Sequence, residues 1–115
     1  MSRLTTHVLD LFHGRPAEGV LLRLHSADSR ELLAECRTDG TGRAACALAE
    51  KEPLADGRYE LVFAIASYFA RAGIRLPEPP FLEEIVIRFG VSGRTDPYHL
   101  PLLVTPWSYT VYRGR

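Results

Sequence analysis

Two stretches with a two-residue period decide the fold class: residues 20–25 read VLLRLH and residues 32–37 read LLAECR. Apolar side chains alternate there with more polar ones, which predicts β-strands with one buried and one wetter face. A strong turn signal, DGTG, follows at residues 39–42. Similar short apolar stretches and turns recur about every 8–12 residues, a spacing that favours a β-sandwich.

The same pattern, followed to both ends of the chain, predicts one helix together with eight short strands, or seven strands and one very short strand. A two-turn helix is expected over 66–72, because small residues there precede Gly73, which suits a helix C-terminal cap. A turn is expected at 13–16. Pro101 has no amide hydrogen, so we expect a local interruption of its strand. The expected strands are 4–10, 20–25, 32–37, 43–48, 59–65, 85–89, 98–104 and 107–113.

Length, charge and cysteine content limit the class of protein. The 115 residues suit a single domain over 1–115. The 14 basic and 14 acidic residues balance and are scattered, which argues against nucleic-acid or membrane partners. Cys36 and Cys46 are too few for a disulfide framework. We see no signal peptide or transmembrane stretch, so a cytoplasmic protein with reduced thiols is the simplest interpretation.

The four histidines are the first candidates for chemistry. His13, in a turn, and His25, on the polar parity of its strand, are expected to be exposed and inert. His7 and His99 lie in otherwise apolar or small-residue strands near opposite ends of the chain. Each can be a hydrogen-bonded structural histidine, and spacing alone does not bring them together. No HxH, HExxH or CxxC pattern occurs, so no metal site is expected.

Both ends of the chain resemble the 5-hydroxyisourate hydrolases of the transthyretin-related family. The resemblance extends through the middle and covers essentially the whole chain. The Tyr-Arg-Gly signature near the end and the histidine near each end are its most specific parts. The motifs that carry it are LTTHVLD (4–10), GRPA (14–17), TDGTGR (38–43), GRY (57–59), YF (68–69), YHLPLL (98–103) and YTVYRG (109–114).

For the fold, the resemblance implies a sandwich of two four-stranded antiparallel sheets with one short helix. It also implies a homotetramer with active sites at a subunit interface. The aromatic last strand, with Trp107, Tyr109 and Val111, would suit such an interface. The alternative is that these three side chains only fill the sandwich core.

For the reaction, the resemblance implies addition of water to a ring carbonyl of 5-hydroxyisourate, a small-molecule substrate of urate catabolism. The ring opens to 2-oxo-4-hydroxy-4-carboxy-5-ureidoimidazoline. Either His7 or His99 would act as a neutral general base, and Arg43 would stabilise the oxyanion. No metal or organic cofactor is implied. The implied substrate-binding residues are Arg43, Tyr112, Arg113, Gly114 and Arg115.

One position departs from the family pattern. The family usually has serine after Tyr-Arg-Gly, and this chain has Arg115. Arg115 can be a benign variant, can shift the substrate preference, or can belong to a small-ligand carrier with impaired catalysis. A plain adhesion or interaction module of sandwich fold is a further alternative.

Overall fold

The computed structural model describes residues 3–44, 54–93 and 97–114. They contain eight strands in two sheets and one helix, α1 (Ile65–Arg71), as the sequence predicts. The strands are β1 (Leu4–Asp10), β2 (Arg15–Pro16), β3 (Leu21–Ser26), β4 (Leu32–Arg37), β5 (Gly57–Phe63), β6 (Ile85–Val91), β7 (Tyr98–Val104) and β8 (Tyr109–Val111).

The strand order is β2-β1-β7-β8 in one sheet and β4-β3-β5-β6 in the other. One pairing differs from the expected antiparallel arrangement, because β1 and β7 run parallel. Parallel neighbours need a long connection, and here the whole second sheet lies between them along the chain. This parallel pair brings together the two ends of the sequence that carry the candidate histidines.

One expected turn is wrong, and one expected strand lies mostly outside the described residues. Residues 15 and 16 form the edge strand β2 where a turn was expected; two residues are too few to show a period. At the predicted strand 43–48, Arg43 and Ala44 make only isolated bridges, and residues 45–48 lie outside the described part of the chain.

The last strand is also shorter than expected. β8 begins at Tyr109 because Trp107 and Ser108 belong to a turn, in which both of their amides donate to the Thr105 hydroxyl. The Thr105 amide closes the turn by donating to the Ser108 carbonyl at 2.9 Å.

Pro101 interrupts pairing on one side of β7, as expected. The Gly114 amide donates to the His99 carbonyl at 2.7 Å, so that carbonyl faces the β8 side. Backbone alternation turns the ring nitrogen of Pro101 to the same side, where it has no hydrogen to donate. The β7–β8 ladder therefore covers only residues 102–104, while the ladder to β1 continues through Pro101.

The helix ends where the sequence predicts, within one residue. Gly73 has φ of 92°, and its amide donates to the Ala70 carbonyl while the Ile74 amide donates to the Phe69 carbonyl. These two bonds form a Schellman motif. The helix packs Ile65, Tyr68 and Phe69 into the core, which otherwise consists mostly of inward-facing strand residues. Its largest fully buried members include Leu4, Val8, Leu22, Leu24, Leu61, Phe63, Ile85 and Leu102.

Cys36 is disulfide-bonded, so the expectation of reduced thiols is wrong. That expectation weighed only the redox compartment, which says nothing about how the chain places its sulfur atoms. Cys46, the other cysteine of the sequence, lies outside the described residues. Within the described ranges, no helix is long and apolar enough to cross a membrane. The cytoplasmic location stays a prediction.

Candidate active site

His7 and His99 lie on one face of the sheet. Along β1, Thr6 and Val8 are buried and face the core, so Thr5 and His7 face outward. The parallel register pairs Thr5 with His99, two positions from His7 along β1. The two histidines are therefore diagonal neighbours on adjacent strands. The burial pattern of each strand shows that both histidines face away from the core, and the strand pairing makes them neighbours.

A tight turn brings Arg43 to the same place. Asp39 Oδ1 accepts hydrogen bonds from the Thr41 amide at 2.8 Å and the Thr41 hydroxyl at 2.6 Å. These bonds hold the pKa of Asp39 below its ordinary value. Gly42 has φ of 83°, a conformation that favours glycine. Any larger residue is excluded there, because its Cβ would clash with the Val8 carbonyl oxygen. The Arg43 backbone thus forms an isolated bridge with His7.

The turn also orients the His7 ring. His7 Nε2 lies 2.7 Å from the Thr41 carbonyl oxygen. A carbonyl oxygen only accepts, so the hydrogen must lie on Nε2. When His7 is neutral, its lone pair is therefore on Nδ1.

His99 is the histidine whose ionisation the fold changes. Burial lowers its pKa below the ordinary value, and the positive charges of Arg43 and His7 lower it further. The shift therefore favours the neutral form of His99. Its Nδ1 lies 2.8 Å from the Thr5 hydroxyl, a contact that the sequence analysis did not anticipate. The sequence did contain an indication of it, because Thr5 and His7 have the same strand parity and therefore face the same side of the sheet.

The tail reaches this site through its backbone. A Cβ at Gly114 would lie 3.0 Å from His99 Cδ2, so the glycine sits against the edge of the ring. The Arg113 guanidinium lies instead 4.0 Å from the ring centre of Tyr98, on the opposite face of β7. Tyr112 is exposed. Arg115 lies outside the described residues.

The other two histidines are elsewhere. His13 is not exposed and inert as expected, because its Nδ1 lies 2.6 Å from the buried Asp10 carboxylate. Asp10 accepts a hydrogen bond from the backbone amide of His13 and another from the Tyr68 hydroxyl. The even spacing from Leu4 to Asp10 already indicated that this carboxylate faces the core. His25 lies on the other sheet, in β3.

The histidine face is distinct from a cleft elsewhere on the protomer. A cleft of about 550 Å³ lies between β2 and α1, and neither histidine nor Arg43 lines it. Among the described residues, no three His, Cys, Asp or Glu side chains are grouped to hold a metal ion. The expected lack of a cofactor stays a prediction.

Comparison with known proteins identifies the family of the chain. A 5-hydroxyisourate hydrolase of Pseudomonas aeruginosa is 43% identical over 99% of this chain and 92% of its own. The structure of Klebsiella pneumoniae 5-hydroxyisourate hydrolase superposes with a TM-score of 0.85 and 37% identity over 100% of both chains. Sea bream transthyretin, solved with thyroxine, gives a TM-score of 0.84 and 28% identity over 97% of this chain and 94% of its own. Residues 4–114 match the HIUase/Transthyretin family, and the chain belongs to it.

Proposed function

We propose that the protein hydrolyses 5-hydroxyisourate to 2-oxo-4-hydroxy-4-carboxy-5-ureidoimidazoline, a step of urate catabolism. One observation carries the proposal: the parallel β1–β7 pair sets His7 and His99 on one face, with the positive charge of Arg43 close enough to lower the pKa of His99. The similarity to hydrolases named for this substrate, over nearly the whole chain, supports the same reaction.

His99 is the proposed general base. Water is a weak nucleophile at neutral pH, so a group with an available lone pair must accept its proton as it attacks the carbonyl. The lowered pKa keeps His99 in its neutral form under these conditions. A protonated histidine in the same position would have no lone pair for this step.

Arg43 is the proposed oxyanion stabiliser. As water adds, negative charge develops on the carbonyl oxygen, and a fixed positive donor beside it lowers the barrier. The guanidinium stays protonated at neutral pH and donates from a planar fork. Support comes from the bridge between the Arg43 and His7 backbones and from the positive charge of Arg43, which lowers the pKa of His99.

His7 completes the proposed proton path. The oxygen–carbon bond forms, the ring carbon–nitrogen bond breaks, and the departing nitrogen must gain a proton. Because the Thr41 carbonyl engages Nε2, the Nδ1 atom of His7 is the one available to deliver that proton when His7 is protonated. The proton taken up by His99 balances the one given to the nitrogen.

The proposal includes substrate contacts from Arg43 and the tail residues Tyr112, Arg113, Gly114 and Arg115. Gly114 has the most direct support, because it lies against the His99 ring. Arg113 lies over Tyr98 in the single protomer, so its contact would require the guanidinium to leave that ring.

A homotetramer with the site at a subunit interface is part of the proposal. The histidines lie on an outward sheet face that also carries the half-buried Leu9 and Leu103. Trp107 and Tyr109, at the edge of the same sheet, are exposed by 57% and 43%. A second subunit over this face would exclude water from the substrate and strengthen the electrostatic interactions.

The direct test generates 5-hydroxyisourate in place with urate oxidase and follows the loss of its absorbance with and without this protein. We expect faster decay and formation of the ring-opened carboxylate, identified by mass spectrometry. Decay at the uncatalysed rate with folded protein would refute the proposed activity.

A further inference from the structure

We propose that Thr5 is a positioning residue for His99: its hydroxyl accepts a hydrogen bond from Nδ1–H, so that the His99 lone pair lies on Nε2, toward the substrate. Thr5 Oγ1 and His99 Nδ1 are 2.8 Å apart although the two residues are 94 positions apart in sequence. This inference rests on the proposed function, since it assigns the reacting atom of the proposed base.

The contact is built by the strand ladder. Thr5 and His99 are direct partners in the β1–β7 register, and both side chains face outward. Threonine is branched at Cβ, which restricts its side chain to few rotamers. The hydroxyl is therefore held at a fixed place relative to the imidazole.

The direction of the bond follows from the chemistry of the ring. A hydroxyl can donate or accept, and a neutral imidazole has one N–H and one lone pair. Within the part of the chain that the structure describes, Nδ1 is the only ring nitrogen of His99 with a hydrogen-bond partner. Nε2 is thus the atom left for water. It can accept a proton only if the hydrogen is on Nδ1, and then Thr5 must be the acceptor.

The same logic gives the two histidines opposite tautomers. The Thr41 carbonyl fixes the hydrogen of His7 on Nε2, and Thr5 fixes that of His99 on Nδ1. Among the described residues, the charged or titratable groups that act on His99 are Arg43 from the turn and His7 from β1. Gly114, on the β8 side, and Thr5 add no charge.

Thr6 provides a matched control. It is the next residue of β1, it is buried, and its hydroxyl donates to the Leu100 carbonyl at 2.7 Å across the same strand pair. Thr5→Val and Thr6→Val therefore each remove one hydroxyl and one β1–β7 bond, on opposite faces of the sheet. Thr5→Ser keeps the hydroxyl and serves as the rescue variant.

The first measurement is nitrogen-15 NMR of histidine-labelled protein at a pH above the titration of His99, without substrate. We expect the Nδ1–H tautomer for His99 in the wild type and in Thr6→Val. In Thr5→Val we expect a shift toward Nε2–H, the more populated tautomer of free histidine. An Nε2–H tautomer in the wild type would overturn the inference. Because no turnover is involved, this result is separate from the fate of the proposed activity.

The second measurement is the decay assay. Thr5→Val should lower kcat by about 10-fold to 100-fold, by analogy with the loss of the partner that orients a metal-bound histidine. KM should change little, Thr5→Ser should recover most of the rate, and Thr6→Val should keep the wild-type kcat with a lower unfolding temperature. Equal kcat in wild type and Thr5→Val would overturn the inference, as would an equal loss in both valine variants.

Discussion

The Nδ1 atom of His13 lies 2.6 Å from Oδ2 of Asp10, a carboxylate with no solvent-exposed surface. Burial alone would raise the pKa of Asp10, but hydrogen bonds from Tyr68 and His13 and the charge of His13 outweigh it, and the net shift is downward. Asp10 thus joins the end of β1 to both the following turn and α1. These bonds stabilise the end of β1, the strand that carries His7.

Tyr68→Phe should destabilise the protein by about 1–3 kcal/mol, because a buried carboxylate loses one of its donors. Tyr59→Phe is the control, since the Tyr59 hydroxyl donates to a neutral carbonyl, that of Ala55, at 2.6 Å. We expect a smaller loss there, about 0.5–1.5 kcal/mol. Urea unfolding measures both. Equal destabilisation in the two variants would show that the bond to the Asp10 carboxylate contributes no more to stability than a bond to a neutral carbonyl.

Arg43→Gln should have two effects. Loss of the oxyanion donor should lower kcat by about 100-fold to 1000-fold. Because the Arg43 charge lowers the pKa of His99, its removal should raise that pKa and move the acidic limb of the kcat/KM profile to higher pH.

Arg23→Gln is the control for Arg43, since Arg23 pairs with Glu84 on the other sheet at 2.8 Å. Its profile should match that of the wild type. An acidic limb that stays in place in Arg43→Gln, or moves to lower pH, would show that the arginine does not act on the base.

Trp107→Glu should weaken the proposed tetramer and lower activity, because it puts a charge on the aromatic edge of the histidine-bearing sheet. Phe81→Glu is the control, since Phe81 is 75% exposed in a loop outside both sheets. Light scattering coupled to size-exclusion chromatography gives the mass of each variant. A wild-type protein that is monomeric and active would refute the interface site.

Much of the scaffold was accessible from the sequence because long strands show their period. The bounds of β1, β4 and β7 were predicted correctly. The two residues of β2 are too few to show a period, and the parallel β1–β7 pairing depends on long-range packing. The resemblance suggested that His7 and His99 act together. However, the two motifs that contain them, LTTHVLD and YHLPLL, do not show the strand register that makes them neighbours.

Two side-chain contacts, one made by His13 and one made by Thr5, were not predicted. His13 was judged from its turn alone, although Asp10, three positions before it, already had the parity of the core. Thr5 was treated as part of a motif and not as a partner of His99, because a hydrogen bond across 94 positions requires the register. Only for Thr5 was the missing information the identity of the strand that lies opposite.

The central claim is that His99 activates water for hydrolysis of 5-hydroxyisourate, and the decisive measurement compares the decay rate with wild type, His99→Asn and His25→Asn. His25 lies on the other sheet and should be dispensable. We expect marked acceleration by the wild type and His25→Asn, and a loss of about 100-fold to 10,000-fold in His99→Asn with an unchanged fold by circular dichroism. A folded His99→Asn variant with a near-wild-type rate would remove His99 from the mechanism. A wild type that binds small aromatic ligands without accelerating decay would indicate a carrier.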